Sequence, residues 1–398
     1  MPIPFARVST FYFCYFALLG ALLPFWSLYL DDIGLTALQI GTLASMMMVT
    51  KIIAPTLWGW LADRSGKRLK VIRLGSLVAM ICFAGIFISN KFYWILLVVA
   101  AYTFFWNAVL PQFEVLTLDS LRNEHHRYGQ VRLWGSLGFV FVVLSGGILF
   151  DHISIAYLPV FMFVTLGLIF GSSLLVSEPR HVEHHVGTEQ GLLSTLIHPV
   201  VLAFLVSSFL LQVSHGPYYA FFSLYMEKFG YSRSLIGQLW ALGVAAEVVM
   251  FMVLHRLLPV LGIRRVMLIS LALAILRWYL VARFGQTLSI LLFAQLLHAA
   301  TYASFHAAAV ALIHNNFSRQ HQGRGQALYS GLCYGGGGAV GAYASGWMWE
   351  WSPQWCFLGA SVAALAAYAI AFLWVRGETL HLPSVEAELG IVVQERSL

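Results

Sequence analysis

Gly59-Trp60-Leu61-Ala62-Asp63-Arg64-Ser65-Gly66-Lys67-Arg68 separates two apolar runs, 38–61 and 70–89. Each run is long enough to cross a hydrocarbon core as a helix, which takes roughly 20 residues. The charged stretch between them therefore reads as a short loop at a membrane surface. Gly66 permits a tight turn, and Gly59 allows a neighbouring helix to approach closely. Asp63 can pair with an arginine or cap the positive end of a neighbouring helix. Arg64, Lys67 and Arg68 mark the loop as cytoplasmic, because short inner loops collect Lys and Arg. The loop either sets orientation alone or, through Gly59, Asp63, Arg64, Gly66 and Arg68, also acts as a gating latch; its spacing favours the latch.

The same pattern extends in both directions. Apolar spans are expected at 10–30, 38–61, 70–89, 92–114, 132–150, 155–176, 198–222, 235–255, 264–282, 286–312, 326–348 and 354–375. Sixty per cent of the 398 residues are hydrophobic and 10% are charged, whereas a soluble domain carries about 25% charged residues. Such a chain cannot cover itself with polar surface, so its excess apolar surface must face lipid. The net charge of +6 is accordingly a topology signal rather than a sign of nucleic-acid binding. Outer loops hold only Lys91, Lys228, Arg233 and Arg283, and Lys51 and Arg277 lie within spans. The other 17 of the 23 basic residues fall on the side of the two termini, which predicts cytoplasmic termini. The first apolar run reads as a retained helix rather than a signal peptide.

The expected fold is an all-α membrane protein of twelve transmembrane helices in two pseudo-symmetric six-helix bundles. The N-terminal bundle covers 1–180 and the C-terminal bundle 198–377, with a cytoplasmic linker at 181–197 and a cytoplasmic tail at 378–398. The linker's His181, His184 and His185 lack rigid metal-ligand spacing and read as solvated. Cys14, Cys82, Cys333 and Cys356 lie singly in apolar stretches and read as small buried hydrophobes. No metal or cofactor is expected, and no fixed catalytic constellation appears, so an enzyme is not expected.

The 59–68 stretch resembles the G-x-x-x-D-R-x-G-x-R/K signature of the major facilitator superfamily. The resemblance covers essentially the whole chain and is strongest to the branch of proton-coupled lactose permease and the 3-phenylpropionate transporters. It is carried by Leu23-Pro24-Phe25-Trp26-Ser27-Leu28-Tyr29-Leu30, by Asn107-Ala108-Val109-Leu110-Pro111-Gln112-Phe113-Glu114 and by Tyr128-Gly129-Gln130-Val131-Arg132-Leu133-Trp134-Gly135-Ser136. It implies that Glu114 and Arg132 face the substrate, and that Arg277 and His298 match charged or polar positions of the permease. Glu247 resembles a substrate- and proton-linked carboxylate displaced by about one turn. The permease's carboxylate three residues after its histidine is Thr301 here. The Leu297-His298-Ala299-Ala300-Thr301 and Phe305-His306-Ala307-Ala308-Ala309 segments are closer to the 3-phenylpropionate transporters. The equivalent loop of the second half, 255–265, lacks the Asp-Arg pair.

Charged residues inside spans mark cavities, pathways or partners. Glu247 and Arg277 are the clearest, as a charge network or as a permanent packing pair. Arg132 can hold hydroxyls or fork onto a carboxylate; in the latter case Glu114 would compete for it, and protonating Glu114 would free it. Asn107, Pro111 and Glu114 share one helix face, as do His298, Tyr302 and His306. His215, Tyr218, Tyr219 and Phe222 form either a stacking surface for an aromatic substrate or an interfacial belt. Lys51 faces the cavity, snorkels, or attracts an anion. Gly335 to Gly338, with Gly331 and Gly341, suggest close helix packing or a hinge.

The substrate contacts expected are thus Asn107, Glu114, Arg132, Tyr218 and His298. The coupling network expected is Glu114, Glu247, Arg277 and His298. Together they imply a symporter of protons and a small organic solute, best an aromatic carboxylate, working as a monomer in a bacterial inner membrane by alternating access. An oligosaccharide or nucleoside symporter is the near alternative, and a non-transporting sensor the alternative of another class.

Overall fold

The computed structural model describes residues 5–121, 127–177, 195–318 and 321–375, which form an all-α protein. The N-terminal bundle contains α1 (Phe5–Asp32), α2 (Ala37–Ser65), α3 (Arg68–Phe87), α4 (Phe92–Leu121), α5 (Tyr128–His152) and α6 (Ile155–Leu174). The C-terminal bundle contains α7 (Pro199–Lys228), α8 (Arg233–Leu261), α9 (Ile263–Phe284), α10 (Leu288–Asn316), α11 (322–351) and α12 (Pro353–Trp374). Eleven of these are long and apolar enough to cross a membrane. The remaining one, α11, is diluted by its glycines. The His181, His184 and His185 cluster and the 378–398 tail lie outside the described residues.

Local chemistry sets the helix ends. Thr36 and Gln39 form a reciprocal capping box at the start of α2, with bonds of 3.0 and 3.3 Å. Such a box satisfies two of the orphan N–H groups of a first turn. Gly66, at φ 61°, closes α2 in the left-handed conformation that only glycine adopts freely. Several helices outrun their apolar windows: α4 continues to Leu121 rather than 114, and α7 to Lys228 rather than 222. Hydropathy stops at the first polar residues, but backbone hydrogen bonding continues through the interface, where charged side chains reach water. Glu114 therefore sits well inside α4 rather than at its end.

The two bundles repeat one packing scheme: α1 on α5 and α6, α2 on α4 and α3 on α6, then α7 on α11 and α12 and α9 on α12. A matching pair of arginines repeats as well. Arg73 of α3 donates to the carbonyls of Ser173, Leu174 and Val176 at the end of α6. Arg264 of α9 donates to those of Phe372 and Val375 at the end of α12. A cation there complements the negative end of the helix dipole and satisfies its free carbonyls.

The bundles meet along α2–α11, α5–α8 and α1–α7. Their close backbone approaches lie in the part of the molecule remote from the 59–68 loop. A Cβ on Gly41 would come 2.7 Å from the Ala342 carbonyl, and one on Gly147 2.7 Å from that of Arg233. Beside this contact the Asp151 carboxylate accepts from the backbone N–H groups of Arg233 (2.7 Å) and Ser234 (3.1 Å) and from the Ser234 hydroxyl. Arg233 also donates to the Phe150 carbonyl at 2.9 Å and pairs with Glu227 at 3.0 Å. Ile53, Leu57 and Trp60 of α2 and Val249 and Met252 of α8 are exposed, on helix faces turned away from Lys51 and Glu247, as lipid-facing side chains are. The space between the bundles is thus closed at the end remote from the 59–68 loop.

Candidate substrate and coupling site

The 59–68 loop works within its own half. Arg68, the first residue of α3, donates to Asp63 Oδ1 at 2.6 Å and to the Gln112 side chain of α4. Gly59 lies beneath Gln112, where an added Cβ would come 3.3 Å from its Nε2. The motif thus ties the ends of α2 and α3 to α4. The loop between α8 and α9 is instead a positive-φ turn at Gly262 (φ 77°), and no ion pair matching Asp63–Arg68 forms there among the described residues.

In the N-terminal half, Arg132 of α5 lies 3.5 Å from Glu114 of α4. Its guanidinium stacks on Phe16 of α1 at 4.0 Å. Asn107 is turned away from the interbundle space. It is buried, and its amide donates to the Met47 carbonyl and the Thr50 hydroxyl of α2, at 3.2 and 3.0 Å. The helix face shared with Glu114 therefore divides, with Asn107 fastening α4 to α2 and Glu114 reaching Arg132. Lys51 is exposed, forms no ion pair among the described residues, and lies within electrostatic reach of Glu114.

In the C-terminal half, Arg277 of α9 is buried at 1% exposure. It donates to His298 Nδ1 (2.9 Å), Thr301 Oγ1 (3.3 Å) and Gln295 Oε1 (3.1 Å) of α10. Its guanidinium lies over the rings of Trp278 (4.3 Å) and Tyr218 (4.5 Å). A guanidinium can only donate, so His298 Nδ1 must accept, which places the ring proton on Nε2. That nitrogen faces the Glu247 carboxylate of α8 at 3.6 Å, longer than a hydrogen bond. Arg277, His298 and Glu247 therefore form one chain across three helices. Tyr218 is buried beneath it, donating to Gln295 at 3.3 Å and packing on Trp240.

Arg132 and Arg277 both lie within electrostatic reach of Glu247, so the charges of the two halves share one space. The α10 segment Ala299–Ser304 is a π-helical stretch, as is Tyr329–Gly337 of α11. Such stretches cluster at functional sites. They bring Tyr302 edge-on to Tyr334, while His306 bonds Tyr334 at 3.1 Å. Sequence reasoning missed Gln295 and the cation-stacking Phe16. Gln295 stands three residues before His298 on one helix face, a spacing that would have pointed to it; Phe16 carried no such signal.

These features place a paired charge site between two six-helix bundles. Residues 5–359 match the MFS_1 like family. The chain belongs to that family. It is a multi-pass secondary transporter and not an enzyme. Among relatives of this family member, the probable 3-phenylpropionic acid transporter of Escherichia coli (strain K12) is 30% identical over 369 residues, covering 89% of this chain and 94% of that protein. The maltose permease of Geobacillus stearothermophilus is 29% identical, covering 67% of this chain and 68% of that one. The solved structure of the nucleoside transporter NupG superposes with a TM-score of 0.81 at 18% identity, covering 93% of this chain and 99% of that one. The last likeness shows the fold.

Proposed function

We propose that this transporter imports an aromatic carboxylate such as 3-phenylpropionate together with a proton, across a bacterial inner membrane, with both termini cytoplasmic. The observation that carries the substrate class is the charge balance of the interbundle space. Lys51, Arg132 and Arg277 face two carboxylates, Glu114 and Glu247. A surplus cation among low-dielectric walls favours an anionic solute. A neutral sugar or nucleoside would leave that surplus in place.

Glu247 is the proton carrier in this reading, and His298, held by Arg277, is its positioning partner. Glu114 and Arg132 form the second switchable pair, in which protonating Glu114 frees the guanidinium. Tyr218 and Asn107 hold the two charged layers in place. With the 59–68 loop at the cytoplasmic face, the closed end is the outer one, and rocking of the halves about the site supplies alternating access.

Uptake of labelled 3-phenylpropionate into proteoliposomes, with and without an inward-directed proton gradient, tests this reading. Gradient-dependent accumulation is expected, and it separates a transporter from a sensor that binds without moving its ligand. Accumulation of a nucleoside or oligosaccharide instead, with no uptake of any aromatic acid by folded protein, overturns the substrate class.

A further inference from the structure

We infer that the substrate anion is held by Lys51, with its aromatic ring seated in an apolar chamber one helical turn deeper, at the sealed end of the interbundle space. The inference rests on the aromatic-carboxylate reading above and says where that molecule binds. The chamber is enclosed by both halves: Leu22 and Trp26 of α1, Ala44, Met47 and Met48 of α2, and Tyr219 of α7 form much of its wall. Its lining carries no formal charge. Methionine and aromatic side chains make favourable contacts with an aromatic ring. Trp26 is buried, and its indole N–H has no hydrogen-bond partner among the described residues. With the hydroxyls of Ser27 and Tyr219, it is one of three polar groups in a mostly apolar wall.

Helix geometry joins this chamber to Lys51. Ile40, Ala44, Met47 and Met48 all line the chamber. Lys51 continues that series at the i+3 and i+4 spacing that defines one helix face. The opposite contacts of α2 leave by other faces. Thr50 bonds Thr103 of α4 at 2.8 Å, and Ile52 packs against Gly335 of α11. Lys51 therefore projects into the space between the bundles on the side of the chamber toward the 59–68 loop, about 6 Å along the axis from Met47. In 3-phenylpropionate, three C–C bonds of about 1.5 Å each separate ring from carboxylate, roughly 4 Å in all. The flexible lysine stem covers the remainder.

The other two cations are already engaged. Arg132 is paired with Glu114 and stacked on Phe16. Arg277 is buried and makes three Nη bonds to α10, with only its buried Nε left without a partner among the described residues. Lys51 alone of the three is exposed without an ion pair among the described residues. The ligand class is an aryl-alkanoate monoanion with a short saturated spacer.

The test is binding to purified full-length protein, measured calorimetrically with 3-phenylpropionate and with its neutral counterpart 3-phenylpropan-1-ol. Lys51→Met is expected to weaken the acid roughly 10- to 100-fold, the range of a lost charge-assisted bond, and to leave the alcohol within about two-fold. Ala44→Phe, which fills the chamber, is expected to weaken both. Independently, 3-phenylpropionate should protect Ala44→Cys from alkylation, a readout that survives if Lys51→Met does not fold. Unchanged acid binding in Lys51→Met, or absent protection at Ala44→Cys with wild-type affinity, overturns the placement while the aromatic-acid reading stands. Failure of folded wild-type protein to bind any aryl-alkanoate overturns both.

Discussion

Replacing Asp151 by alanine removes a carboxylate of α5 that accepts two backbone N–H groups and one hydroxyl from the start of α8. Those donors belong to the other half of the molecule, so the bonds exist only while the remote end is sealed. Losing a capping side chain costs about 0.5–2 kcal/mol. Asp151 is exposed and water competes for the freed donors, so the lower part of that range applies, about 1 kcal/mol. That corresponds to a shift of roughly five-fold from the sealed toward the open form. The assay is alkylation of Ala44→Cys by an impermeant maleimide added from outside, with Cys14, Cys82, Cys333 and Cys356 replaced by serine. Asp151→Ala should raise the labelling rate about five-fold. Asp151→Asn keeps one carbonyl acceptor and should fall between. Unchanged labelling in folded Asp151→Ala protein would refute the reasoning, since the contacts would then have no influence on the equilibrium.

Glu247→Gln should abolish accumulation driven by a proton gradient while leaving substrate exchange in counterflow; persistence of gradient-driven uptake removes Glu247 as carrier. Glu114→Gln tests the second pair in the same assay, and an unchanged proton dependence there counts against its switching role. Arg277→Ala strips three hydrogen bonds and two ring contacts from a buried site and should destabilise the protein by about 1.5–3 kcal/mol, read as an earlier thermal unfolding midpoint in detergent. Gly41→Val places side-chain carbon within 2.7 Å of the Ala342 carbonyl and should hold the remote end open, giving fast external labelling of Ala44→Cys; slow labelling would show that α2 and α11 can reseal around the branch.

The sequence by itself determined the architecture, because its strongest signals are physical and local. Apolar run length located the helices, the Gly59 to Arg68 loop pointed to the superfamily, and glycine spacing along 335–341 anticipated the tight seat of α11. An added Cβ on Gly337 would come 2.5 Å from the Phe209 carbonyl, so that seat admits no side chain. Helix ends were less legible, since charge ends a hydropathy window before it ends backbone hydrogen bonding.

The partners of the polar residues were decided only by the tertiary structure. Asn107 and Glu114 share a face by spacing, yet α2 takes up the amide of Asn107 and leaves Glu114 to Arg132. Arg277 and His298 stand 21 positions apart on different helices, and only their packing reveals that the guanidinium fixes the imidazole's proton. Asp151 gains its partners only because α8 of the other half lies across it. In each case the deciding contact is made with another helix. Sequence periodicity shows which face a residue occupies, but not what that face meets.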